Sequence, residues 1–215
     1  MNKETFILEL NKLGINITEK QLKELETLYE LMIEKNKVMN LTRITEKEEV
    51  YLKHFYDSLT LIKVVDLTKD LTLCDVGTGA GFPGLVLKIV FPNLKVTLLD
   101  SLNKRIIYLN EVIEKLGLTD IEAIHERGED YLKKYNKKFD IVTSRAVANL
   151  KKLLGITIHL VKKDGLFIAM KANVEDEIIE SKEVLKKLDC KIEKIETFNL
   201  IIENSIRNLV VIRKI

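Results

Sequence analysis

The sequence predicts an α/β fold, a doubly wound, mostly parallel seven-stranded sheet preceded by a helical extension. Three observations carry this. Apolar strand-like runs alternate with helical patterns from Leu71 to the C-terminus. A cluster of glycines follows the first of these runs directly, where an open sheet forms a ligand pocket. The residues before Leu71 keep only helical spacing.

Taken in order, Phe6, Ile7, Leu10 and Leu13 recur at helical intervals until Gly14. Thr18 and Gln21 have the spacing of a capping box, and Leu22, Leu25, Leu28, Tyr29, Met32 and Ile33 continue as one apolar stripe. A further helical segment runs from about Glu46 to Val65. Residues 1–65 are therefore read as a helical extension packed on the same unit, and residues 66–215 as the sheet domain. Strands are expected over Leu71–Asp75, Leu94–Asp100, Ile121–His125, Phe139–Ser144, Gly165–Lys171, Lys191–Leu200 and Ile206–Arg213. Helices are expected near Pro83–Phe91, Asn103–Leu116, Asn149–Val161 and Glu175–Leu188. Crossover helices imply parallel strands joined by right-handed connections. The last two strands follow one another without a helix and predict an antiparallel pair. No internal repeat or low-complexity stretch interrupts the pattern.

The most informative stretch is LTLCDVGTGAGFPG, Leu71 to Gly84. Gly79-Ala80-Gly81-Phe82-Pro83-Gly84 fits the dinucleotide spacing G-x-G-x-x-G, a weak signal when alone. Counted from Gly77 the spacing is Asp-x-Gly-x-Gly-x-Gly. A pyrophosphate needs backbone N–H groups at a helix N-terminus, and Pro83, expected at the first helical position, supplies none. Asp75 is expected to line the crevice, where its charge opposes a pyrophosphate and favours the sulfonium and ammonium of S-adenosylmethionine. Asp100 ends the next strand about 20 residues on, where a carboxylate accepts ribose hydroxyls. That position suits either ligand, and Asp100 can also cap the helix starting near Asn103. An NAD-linked oxidoreductase and a non-catalytic nucleotide-binding protein stay open as alternatives.

DVGTGAGFPG, TLLDSLNKR and FDIVTSRAVANL, flanked by NLTRI, HFYDSL and RNLVVIRK, resemble the bacterial 16S ribosomal RNA guanine-N7 methyltransferases, the RsmG or GidB family. The resemblance runs from about Asn40 to the C-terminus. It implies a Rossmann-like class I fold, S-adenosylmethionine as methyl donor and a guanine N7 of 16S rRNA in the small ribosomal subunit as acceptor. The cofactor contacts it implies fall on Gly77, Gly79, Phe82, Asp100, Gly128, Glu129 and Arg145. A glycine at 128 leaves only its backbone to make such a contact. Arg145 borders the cofactor pocket in this reading and can face the base. On the RNA side, His54 lies in a stretch with a family counterpart, with helix capping as its alternative role, and Asn40, Arg43, Lys171 and Arg207 are further candidates.

The residues limit the chemistry. Amino-group methylation of adenine or cytosine uses a proline-containing turn after the fourth strand, but the two prolines are Pro83 and Pro92. Cytosine-C5 chemistry needs a loop cysteine, whereas Cys74 and Cys190 fall in strands and read as reduced core residues. Guanine N7 carries a lone pair and no proton, so no acid–base catalyst is assigned. Proximity of the reacting atoms supplies the rate. His125 and His159 are expected to be packed, and no histidine has metal-ligand spacing.

Composition bounds the rest. The chain has 46% hydrophobic and 32% charged residues, as a globular domain does. It has neither a membrane-length apolar run nor a signal peptide. A cytoplasmic monomer without metal is expected. Net charge is +2, with nine Lys/Arg against eleven Asp/Glu in residues 1–60 and thirteen against ten in residues 151–215. Without a basic block, RNA binding requires charges that cluster on folding or a structured particle recognised by shape.

Overall fold

The computed structural model describes residues 1–145 and 148–215; Ala146 and Val147, just after the fourth strand, lie outside the described residues. The N-terminal extension opens with α1 (Lys3–Lys12) and α2 (Glu19–Met39). Thr18 and Gln21 close the expected capping box at the start of α2. The Glu46–Val65 segment winds unevenly: α3 (Lys47–Val50), a π turn (Tyr51–Tyr56), α4 (Asp57–Leu59) and a 3₁₀ turn (Thr60–Lys63).

Seven strands then form one sheet in the order β3-β2-β1-β4-β5-β7-β6. They are β1 (Thr72–Val76), β2 (Lys95–Asp100), β3 (Ile121–His125), β4 (Phe139–Arg145), β5 (Val161–Lys171), β6 (Cys190–Leu200) and β7 (Ser205–Lys214). The first five pair in parallel. β7 runs antiparallel between β5 and β6, with Lys171 opposite Asn208 and Asn208 opposite Thr197. Strand order reverses between β1 and β4, which places the ligand-binding crevice beyond their carboxyl ends.

The connecting helices are α5 (Gly84–Val90), α6 (Asn103–Leu116), α7 (Gly128–Tyr135), α8 (Leu150–Thr157) and α9 (Glu175–Lys187). Helix α7 is not among the expected helices because half of its eight residues are charged and break any apolar period. Only Gly128 and Tyr131 are buried in it, and Tyr131 is held by ring contacts to Tyr135 and Phe139. β5 begins at Val161 rather than Gly165, taking over the last residue expected in the preceding helix and the three that follow it.

Each face of the sheet carries its own apolar layer. On one side Phe6, Leu25, Leu28 and Phe55 of the extension share a core with Leu85, Leu98 and Leu109. On the other, Leu153, Leu154 and Leu185 pack with Val142 and Val210. Each such side chain contributes roughly 1.5–3 kcal/mol on burial. Gln21 adds a polar tie, its Nε2 donating to the Ile89 and Val90 carbonyls at 3.0 and 2.9 Å, at the end of α5. No described helix is long and apolar enough to cross a membrane.

Candidate active site

The glycine turn forms as expected, but the acid beside it does different work. Gly77 and Gly79 have φ of 70° and 61°, in the left-handed region that glycine enters without strain. The N–H groups of Gly77 and Thr78 donate to the Leu99 carbonyl, drawing the turn over β2. Asp75 does not line the crevice: it is fully buried. Its Oδ2 accepts from Thr78 Oγ1 at 2.7 Å and from the Gly84 N–H at 2.9 Å. Burial pushes its carboxyl up to about 6, against the pull of those two hydrogen bonds. Pro83 takes the cap position, not the first helical one. The first N–H of α5 is therefore committed to Asp75. The case against a pyrophosphate rests on that occupied helix terminus and not on repulsion from Asp75.

Beyond the strand ends lies a cavity of about 380 Å³ lined by Gly77, Gly79, Phe82, Asp100, His54 and Arg145. A second lobe of about 330 Å³ shares Gly77 and Asp100 with it and extends to Glu126, Gly128, Glu129 and Lys152. The structure thus brings together every residue expected to contact cofactor. Asp100 Oδ1 accepts from the Leu102 N–H at 3.0 Å, and Oδ2 from the Gly79 N–H at 3.0 Å and Arg105 Nη1 at 3.1 Å. Its carboxylate fastens the turn and faces the crevice together. It sits beside the start of α6, although Leu102 is the cap residue.

Gly128 is buried, and a Cβ there would lie 2.4 Å from Ile156 Cγ2, so only backbone fits. Its carbonyl accepts from His159 Nε2 at 2.9 Å, which fixes the floor of the second lobe. Glu129 is exposed at the rim. His125 is exposed rather than packed, with Nε2 3.0 Å from the Ser101 carbonyl oxygen. A bare glycine turn, a carboxylate at the next strand end and a lobe that Gly128 borders with its backbone fit the three parts of S-adenosylmethionine: amino acid, ribose and adenine. Among the described residues no group of three or more His, Cys, Asp or Glu could hold a metal ion.

The extension closes the other side. His54 stacks on Phe82 with ring centroids 4.6 Å apart, and the Arg145 guanidinium lies 5.4 Å from the same ring. His54 Nδ1 is 3.1 Å from Arg145 Nη2, and its Nε2 is 3.0 Å from Thr42 Oγ1. Burial and then the Arg145 charge push its pKa down to about 3. Arg145 Nη1 donates to the Lys53 carbonyl at 2.8 Å and to Asp57 Oδ2 at 3.3 Å. The other oxygen of Asp57 accepts from Arg207 Nε at 3.2 Å. Behind Phe82 runs an aromatic row: Phe55 at 6.0 Å, then Tyr51 5.0 Å from Phe55, then Phe6 5.2 Å from Tyr51.

The remaining RNA candidates separate. Asn40 ends α2 with φ of 50°, exposed, and Arg43 is exposed nearby. Lys171 is turned inward instead, bonded to the Ala148 carbonyl and ion-paired with Glu177 at 2.8 Å. Sequence reasoning did not assign the buried acceptor Asp57, the turn residue Thr78 or Arg105. The i, i+3 spacing of His54 and Asp57 was the available signal for the first, because it sets both on one helical face.

Fold and crevice define an S-adenosylmethionine-dependent methyltransferase of the doubly wound class. Solved structures share the fold. A SAM-dependent methyltransferase from Aquifex aeolicus matches with TM-score 0.59 and 18% identity, over 80% of this chain and 96% of that one. The ribosomal protein L11 methylase of Lactobacillus delbrueckii subsp. bulgaricus matches with TM-score 0.56 and 19% identity, over 79% and 80%. Residues 21–209 match the family described as GidB, rRNA small subunit methyltransferase G, and the chain belongs to that family. The ribosomal RNA small subunit methyltransferase G of Bacillus licheniformis is 51% identical, over 100% of this chain and 91% of that protein. Its namesake in Lactobacillus helveticus is 50% identical, over 100% and 92%.

Proposed function

We propose that this protein transfers the methyl group of S-adenosylmethionine to N7 of a guanine in 16S rRNA, acting in the cytoplasm as a monomer on the small ribosomal subunit. The observation that carries this reading is the full-length similarity to proteins named ribosomal RNA small subunit methyltransferase G. The crevice supports it chemically. Bound S-adenosylmethionine supplies an electrophilic methyl group on a sulfonium. Gly77, Gly79 and Asp100 hold the cofactor side, and Phe82, His54 and Arg145 form the wall that the base approaches. Guanine N7 attacks through its own lone pair, so the wall orients the purine and excludes water without moving a proton. Alignment of this kind contributes up to several kcal/mol. Arg145 cannot grip O6 and N7 together, as arginine does in duplex readout, because that would cover the nucleophile.

The test is methyl transfer from labelled donor to small subunits from a strain lacking the gene, with the product nucleotide mapped. Label at a guanine N7 of 16S rRNA is the expected result. Label elsewhere, or cofactor binding with no label, refutes the reading.

A further inference from the structure

We propose that Asp57 is a positioning residue for methyl transfer, joining Arg145 and Arg207 into one coupled unit at the rim of the crevice. The inference rests on the function proposed above and deepens it.

Three acceptors reach Arg145 from one short segment: the Lys53 carbonyl, His54 Nδ1 and Asp57 Oδ2. An ordinary α-helix does not offer such a set, because its interior carbonyls are bonded within the helix. Here residues 51–56 form a π turn, the winding that recurs where a helix serves a site. Along and just after it, the Lys53 carbonyl faces the guanidinium, His54 stacks on Phe82 and Asp57 lies between two arginines.

Asp57 is 5% exposed, so its charge is little screened, and two guanidiniums share that one buried carboxylate. Among the described residues, removing it leaves Arg145 with two neutral acceptors and Arg207 with Ser205 Oγ and the Ile206 carbonyl. The side chains of Arg145 and Arg207 remain 15% and 23% exposed, so both can meet a substrate while being held from behind. A group that presses on Arg207 from the RNA side is felt at Arg145 through the carboxylate they share. Asp57 touches neither cofactor nor base; it acts through Arg145.

The experiment compares wild type, Asp57→Asn, Arg207→Gln and the double variant. Single-turnover methyl transfer to small subunits is measured beside the dissociation constant of S-adenosylhomocysteine and the NMR signal of the Arg145 Nε–H, assigned by its loss in Arg145→Lys. Asp57→Asn is expected to slow transfer by about tenfold or more while S-adenosylhomocysteine affinity changes less than about threefold. The double variant is expected to be little slower than Asp57→Asn, as for residues acting as a unit. The Arg145 signal is expected to shift in both single variants, including Arg207→Gln, whose change lies on a strand outside the π turn. Transfer by Asp57→Asn within about twofold of wild type, multiplicative rates in the double variant, or an unmoved Arg145 signal in Arg207→Gln would each overturn the proposal. If Asp57→Asn does not fold, the Arg145 signal in Arg207→Gln decides alone. If wild type binds S-adenosylhomocysteine yet methylates no small-subunit RNA, the proposed function fails, and the signal still reports on the coupling.

Discussion

His54 Nδ1 and Arg145 Nη2 lie 3.1 Å apart, and because a guanidinium nitrogen only donates, the histidine is held as an acceptor. Its proton therefore sits on Nε2 and is donated to Thr42 Oγ1. Protonating Nδ1 would set two donors face to face. Burial and Arg145 lower the pKa from 6.5 to about 3. Between those values the unfolded chain binds a proton that the folded chain refuses. The stability involved is complete above the unfolded value and is lost as pH falls toward 3, with a slope of at most about 1.4 kcal/mol per pH unit. Asp75, raised from 3.8 to about 6, works in the opposite sense. Its folded form holds the extra proton in that window, so stability falls as pH rises through it. Urea unfolding of His54→Gln beside wild type, at about pH 7 and about pH 5, isolates the first effect. The deficit of the variant is expected to shrink at the lower pH. A deficit that does not depend on pH means that folded His54 protonates as readily as unfolded.

Asp75 fastens the glycine turn from inside, so its removal should act on ligand binding without any lost ligand contact. Asp75→Ala leaves the Thr78 hydroxyl and the Gly84 N–H without their acceptor, at a cost of about 2 kcal/mol. For a chain of this size that corresponds to roughly 4–8 °C in melting temperature. S-adenosylhomocysteine titration should show affinity reduced about tenfold or more. Unchanged affinity in a less stable variant would separate the turn from the ligand.

Gly128 is set by packing. A valine there must displace Ile156, whose Cγ2 would be 2.4 Å from the new Cβ. Overpacking of this kind costs about 1–3 kcal/mol, and α8 would shift away from the second lobe. Gly128→Val should weaken S-adenosylhomocysteine binding by about tenfold, whereas Glu129→Gln at the exposed rim should change it by less than about threefold. Calorimetric titration of both variants checks the order, and a larger loss in Glu129→Gln reverses it.

Arg43 and Lys171 should part company. Arg43→Ala is expected to weaken binding to small subunits and to reduce by about one the slope of log affinity against log salt, as loss of a phosphate contact does. Lys171→Ala breaks the bridge to Glu177 and should lower thermal stability with little change in that slope. Filter binding across salt concentrations with a melting curve for each variant distinguishes them.

Where the chain repeats a pattern, its structure was readable. Leu71 to Asp100 alone showed a strand, a glycine turn, a helix and a second strand ending in an acid, because each element carries its own periodicity. Helix α7 was not readable: one buried aromatic among charged residues gives no period, and Tyr131 is fixed by Phe139, which lies on the next strand. The burial of Asp75 is not legible, because spacing shows that an acid precedes the turn but not which way it points. The inward turn of Lys171 is not legible either, since its partner Glu177 belongs to the following helix. Asp57 was the hardest to read, because its meaning depends on Arg145 and Arg207, 88 and 150 residues away along the chain.

The file of rings from Phe6 through Tyr51 and Phe55 to Phe82 carries the first turn of the molecule to the lip of the crevice. Pruning a dozen residues from the amino end would therefore strip a neighbour from Tyr51, slacken the ring behind Phe82 and tilt a surface that the excised segment never touched. A bulky fusion placed there would press on the same spot from afar, so purification handles belong at the opposite terminus.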